Sequence, residues 1–132
     1  MTERYSVSDG VIWEDIVGYA RAVQIANVIE VSGTTATEGE RVIGKGDAYL
    51  QAKYIFEKIE KALKKLNALL SDVIRTRMYV TDISTWKQVA KAHQEYFGNI
   101  KPATTMVEVS KLIHPDLLVE IEATAIISEH RY

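Results

Sequence analysis

The stretch Lys101 to Ile126, KPATTMVEVSKLIHPDLLVEIEATAI, decides how the rest of the chain is read. It holds two runs rich in β-formers, Thr104 to Val109 and Leu118 to Ile127, around a loop carrying His114, Pro115 and Asp116. In the second run Val119, Ile121, Ala123, Ala125 and Ile127 alternate with Glu120, Glu122 and Thr124, the period-two pattern of a strand buried on one face. Paired as an antiparallel hairpin, the two runs place Glu120 and Glu122 on one face roughly 7 Å apart, with Glu108 able to join them from the neighbouring strand. Crowded, partly buried carboxylates raise one another's pKa, which makes a glutamate a usable general acid or base near neutral pH. The competing reading gives these carboxylates to Arg75, Arg77 or Arg131 in structural ion pairs, and the residues alone leave both open.

Outward from this stretch, two helices and three more strands are legible. Ala52, Ile55, Phe56, Ile59, Ala62, Leu63, Leu66, Leu69 and Leu70 recur at helical period, with Asp47 as N-cap and Glu57–Lys61 and Glu60–Lys64 pairs on the wet face. Trp86, Val89, Ala90, His93, Tyr96 and Phe97 form a second stripe, opened by Asp82 or Ser84 and closed by Gly98. Trp86, at the head of that stripe, is read as core first and as a cleft-mouth aromatic second. Between the helices VIRTRMYV alternates as a strand, and RAVQIANVIEVSG supplies two β-rich runs about a turn at Ala26 and Asn27, the second ending at Gly33. The order is ββαβαββ, an α+β arrangement in one domain spanning 1–132. Two helices cover one face of such a sheet, so its other face is expected to meet another copy of the chain.

Composition narrows the chemistry. With 47% hydrophobic and 26% charged residues the chain has the make-up of an ordinary globular domain, and no apolar run approaches the roughly 20 residues of a membrane span. MTERYSVSDG has no basic patch followed by an apolar stretch, so no secretory signal is expected and the expected location is cytoplasmic. The absence of cysteine removes thiol nucleophiles and zinc-thiolate sites. A net charge of −2 offers no general attraction for nucleic acid. His93 lies on an apolar helix stripe and reads as a satisfied core residue. GTTATEG lacks the glycines and following lysine of a phosphate loop, and no metal-ligand spacing is present.

PATTMVEV followed by VEIEATAI resembles the C-terminal signature of the RidA (YjgF) family, whose usual form is P-A-R-[ST]-x-V-x-V and then [VI]-E-I-E-A. GYARAVQIANVIEVSG resembles the family's opening hairpin, and TRMYVTDISTWKQVAKAHQEYFG its strand and second helix, so the likeness covers nearly the whole chain. It implies a chorismate-mutase-like ββαβαββ fold, a homotrimer, and a small-molecule ligand in clefts between subunits. Relatives with the usual motif hydrolyse imines and enamines to 2-oxo acids and ammonia without metal or organic cofactor. Carried over by position, the water-activating glutamate is Glu120, and the substrate-binding positions are Tyr19, Ser32, Gly33 and Thr104, with Glu122 left structural.

Thr104 stands where the family has an arginine that pairs with the substrate carboxylate, and Ala90 where some members have a substrate-contacting asparagine. A neutral hydroxyl cannot replace a two-donor cation, and the loss is worth about 2 to 5 kcal/mol of binding. The resemblance with this departure implies hydrolysis of an imine or enamine not bound through a carboxylate. A variant uses Arg21, two residues after Tyr19, as substitute cation. A second reading is a non-catalytic trimer that binds a small molecule or a partner in the cleft. The third, ribonuclease activity under the family's label "endoribonuclease L-PSP", is opposed by the acidic pI near 5.9 and the lack of a basic, aromatic platform.

Overall fold

The computed structural model describes residues 3–128. In chain order the elements are β1 (Arg4–Val7), α1 (Ile12–Val17), β2 (Ala22–Ile25), β3 (Val28–Thr35), β4 (Thr37–Glu38), β5 (Arg41–Val42), α2 (Ala48–Lys65), β6 (Val73–Val80), α3 (Trp86–Phe97), β7 (Ala103–Glu108) and β8 (Val119–Ile126). The expected ββαβαββ order is present as β2, β3, α2, β6, α3, β7 and β8. The short β1, α1 and the β4–β5 hairpin are additions that the sequence reading did not contain. Six strands form one sheet in the order β1-β2-β3-β8-β6-β7.

The last two strands do not form the expected hairpin. β8 lies between β3 and β6 and is antiparallel to both, while β7 runs parallel to β6 at the sheet edge. Burial explains the exchange. Val119, Ile121, Ala123 and Ala125 are almost fully covered by the helices, which a central strand provides, whereas β7 is exposed at nearly every position. β6, α3 and β7 form a parallel crossover, the connection that a helix between two strands favours. Glu108 is therefore carried away from Glu120 and accepts the Ile83 amide at 3.0 Å.

α2 and α3 cover one face. Ile55, Phe56, Ile59 and Leu63 of α2 meet Ile29 and Val31 of β3 and Ile121 of β8 in the core. Phe56 sits among the rings of His93, Tyr96 and Phe97 at centroid distances of 5.4 to 5.6 Å. Asp47 caps α2 through the Leu50 amide at 3.0 Å. That helix ends at Lys65, before the end of the predicted stripe, and Asn67 turns the chain at φ 59, so Leu69 is exposed. Trp86 also departs from its core reading: it is 49% exposed, with Lys87 Nζ 5.8 Å from its ring. Buried Gln51 donates to the carbonyls of Gly44 and Asp116 and accepts the Leu118 amide, which ties the His114–Asp116 loop to the start of β8.

The face turned away from the helices carries Glu120, Glu122 and Thr124 of β8, Arg77 and Tyr79 of β6, and exposed Ile25, Val28 and Ile126. Thr105 is exposed there and accepts from Arg75 at 2.8 Å. Among the described residues no helix is long and apolar enough to cross a membrane.

Candidate functional site

The site begins with a bulge. β3 and β8 pair regularly from Val28 to Val31, then shift register before Thr34, leaving Ser32 and Gly33 in the irregularity. A Cβ at Gly33 would overlap Oε2 of Glu120, so the absent side chain makes the space in which that carboxylate lies. Glu120 is half-buried, and among the described residues no group donates a hydrogen bond to its carboxylate or pairs with it. Burial first, and then the charge of Glu122, push its pKa above the ordinary glutamate value, with Arg21 acting in the opposite direction.

Glu122 has a different fate. It accepts the Tyr79 hydroxyl at 2.7 Å, a bond that in turn raises the pKa of the phenol. The two neighbouring glutamates of VEIE are thus divided into one hydrogen-bonded side chain and one left without a donor. The ion pairs proposed with Arg75 and Arg77 are not formed, and Arg131 lies outside the described residues.

Around Glu120 is a cavity of about 430 Å³. Its polar wall includes Tyr19, Arg21, Ser32, Gly33 and Lys58, and its apolar wall Val11, Trp13, Val17 and Ile113. Arg21 is 4% exposed and heavily engaged. Its Nε donates to Asp9 Oδ2 at 2.7 Å, and Nη1 donates to the Gly33 carbonyl at 2.7 Å and to Thr34 Oγ1 at 3.1 Å. The guanidinium lies 5.5 Å from the Tyr19 ring, with Nη2 3.4 Å from the phenol oxygen. Arg21 therefore holds the bulge in place rather than standing free as a substitute clamp. Ser32 donates its hydroxyl to the Ala20 carbonyl at 2.6 Å, which leaves its oxygen able to accept.

Thr104 is elsewhere in the protomer. Its Oγ1 is 2.8 Å from Thr76 Oγ1, which is itself 2.8 Å from His93 Nε2. The position lines a second cavity, of about 570 Å³, with Ala90, His93 and Lys101. His93 is half-buried among aromatic rings, and burial lowers its pKa. Trp86 lines neither of these cavities.

The model of the family described as endoribonuclease L-PSP matches residues 13–127, which includes every element from α1 to β8 except the first residue of α1. The chain belongs to the RidA/YjgF family. A crystal structure of a YjgF/YER057c/UK114 family member from Mycobacterium tuberculosis is 46% identical, with a TM-score of 0.87 over 95% of this chain and 100% of that one. An uncharacterised protein of Streptomyces coelicolor is 35% identical over 90% of this chain and 89% of its own length. A protein of Acinetobacter baylyi named 3-aminoacrylate deaminase RutC is 31% identical over 81% of this chain and 85% of its own.

Tyr19, Ser32, Gly33 and Glu120 share the first cavity, while Thr104 and Ala90 share the second. Lys58 and Trp13 were absent from the sequence reading of the site. Lys58 falls on the expected wet face of α2, where a lysine carries no signal, and α1 is too short for periodicity to reveal Trp13.

Proposed function

We propose that this chain is a homotrimeric deaminase that hydrolyses a reactive imine or enamine to a carbonyl compound and ammonia. The observation that carries the reading is the Glu120 carboxylate, half-buried over Gly33 and without a donor. A base in this state takes a proton from water as the oxygen adds to the C=N carbon. The proton then passes to nitrogen, the hydroxyl proton of the resulting adduct follows it by way of Glu120, and the C–N bond breaks to release ammonia as the carbonyl forms; an enamine enters this sequence as its imine tautomer, a proton moving from nitrogen to its β-carbon. Tyr19 and Ser32 are placed to orient water or the substrate nitrogen. The chemistry needs no metal and no organic cofactor. A relative named 3-aminoacrylate deaminase supports the reaction class.

Assembly supports the same reading. The positions assigned to one cleft lie in two cavities of the protomer, so a cleft containing both is built by bringing the Thr104 corner of one copy to the Glu120 cavity of another. The exposed apolar side chains on the sheet face away from the helices suit such contact. Thr104 carries no charge, so recognition does not run through a carboxylate clamp at that position.

The test is ammonia release from a panel of imines and enamines by wild type and Glu120→Gln. A loss of roughly 100-fold to 10,000-fold is expected, the range of general-base contributions. A variant retaining half the wild-type rate would end the proposal, and the non-catalytic binding trimer would replace it. A native mass of one chain would remove the cleft.

A further inference from the structure

We infer that Lys58 is the anion-binding group of the Glu120 cavity, and that it holds the carboxylate of a substrate whose imine carbon faces Glu120. This rests on the deaminase reading above and names the residue that takes over substrate recognition within it.

Lys58 reaches across from α2 to the end of β3, where Nζ donates to the carbonyls of Thr35 at 3.0 Å and Thr37 at 3.1 Å. Two of its three N–H groups are thereby directed, and the third is left for a ligand. Among the described residues no carboxylate lies within 4.0 Å of Nζ. Arg21, the other cation of the wall, has Asp9 at 2.7 Å as its counter-ion. Lys58 is thus a half-buried ammonium with no carboxylate in contact, since Asp9, the acid that acts on it, is held by Arg21.

Charge is distributed unevenly along the cavity. At one end burial first, and then Arg21, pull the Lys58 pKa below the ordinary lysine value, with Asp9 acting in the opposite direction. At the other, burial and Glu122 push the Glu120 pKa up. One end is short of negative charge and the other is crowded with it. Arg21 acts on both groups, and neither Lys58 nor Glu120 is among the causes of the other's shift, so they stand apart. A small acid with its carboxylate toward Lys58 and its C=N carbon toward Glu120 relieves the imbalance at the lysine and adds no charge at the glutamate. The expectation of a substrate not bound through a carboxylate came from position 104; position 58, one element away in the fold, supplies the missing cation.

The test is calorimetric titration with 2-oxobutanoate, a product-like acid, and with its methyl ester. Wild type should bind the acid at least about tenfold more tightly than the ester. Lys58→Gln keeps a donor for the Thr35 and Thr37 carbonyls but removes the charge, and should weaken the acid by roughly tenfold to a hundredfold while leaving the ester within about twofold. Lys58→Arg should restore most of the acid affinity, which separates lost charge from a disturbed fold. Glu120→Gln should keep acid binding while losing turnover, so the two proposals fail separately. Equal binding of acid and ester by wild type, or unchanged acid affinity in Lys58→Gln, would overturn the assignment.

Discussion

The cavities at Thr104 and at Glu120 differ in how far their polar groups are satisfied. In the corner at Thr104 the hydroxyls of Thr104 and Thr76 and the imidazole of His93 form a closed, neutral hydrogen-bond chain against an aromatic cluster. In the cavity at Glu120, among the described residues, a carboxylate lacks a donor and an ammonium has no carboxylate in contact, each half-buried. Completed polar networks stabilise and specify a fold, whereas incomplete ones cost stability and leave interaction capacity for a ligand. Under the proposed function the first corner is a finished wall of the cleft and the second carries its reactive groups.

Five substitutions press on this contrast. Arg21→Leu should have the largest effect, a loss of about 3 to 5 kcal/mol in denaturant unfolding, because it strands Asp9 and frees the Gly33 bulge. A loss below about 1 kcal/mol would show that the guanidinium does not support the site. Gly33→Ala comes next: the methyl group displaces the Glu120 carboxylate, and deaminase turnover should fall about a hundredfold while the circular dichroism spectrum is kept. Unchanged turnover would break the link between the bulge and the base. Thr76→Val should cost about 1 to 2 kcal/mol by leaving His93 Nε2 and Thr104 without their partner, with turnover reduced less than about threefold. A turnover collapse at unchanged stability would reverse the roles of the two cavities.

The smallest effect concerns pH. The folded-state pKa of Glu120 is raised, so the native protein holds this proton at pH values where the unfolded chain has released it. Stability from this group is therefore lost as pH rises from the ordinary glutamate pKa through the higher folded one. Glu120→Gln should be more stable than wild type above that window, and the difference should disappear below it. Glu122→Gln removes one cause of the shift, so the acid limb of the rate profile should move to lower pH. An unmoved limb would assign the titration to another group.

Much of this was legible in particular residues. The alternation in VEIEATAI placed Glu120 and Glu122 on the uncovered face, and the two apolar stripes placed both helices, because side-chain period is a local property of the backbone. The strand order was not legible: β7 and β8 are neighbours in sequence, yet only the burial available beside β3 and β6 moves β8 to the centre and leaves β7 at the edge. Trp86 fell on a correct stripe, but at the helix start where no partner covers it.

The chain by itself determined its family, the order of its principal elements and the placing of Glu120 and Glu122 on one strand face, since these depend on spacing and residue type along the sequence. Only the tertiary structure decided which of two adjacent glutamates stays without a donor, that Arg21 is consumed by Asp9, and that Lys58 reaches the same cavity. Those outcomes depend on groups brought together from the loop after β1, β3, α2, β6 and β8, and the charge state of a side chain is set by what surrounds it in space rather than by its neighbours in sequence.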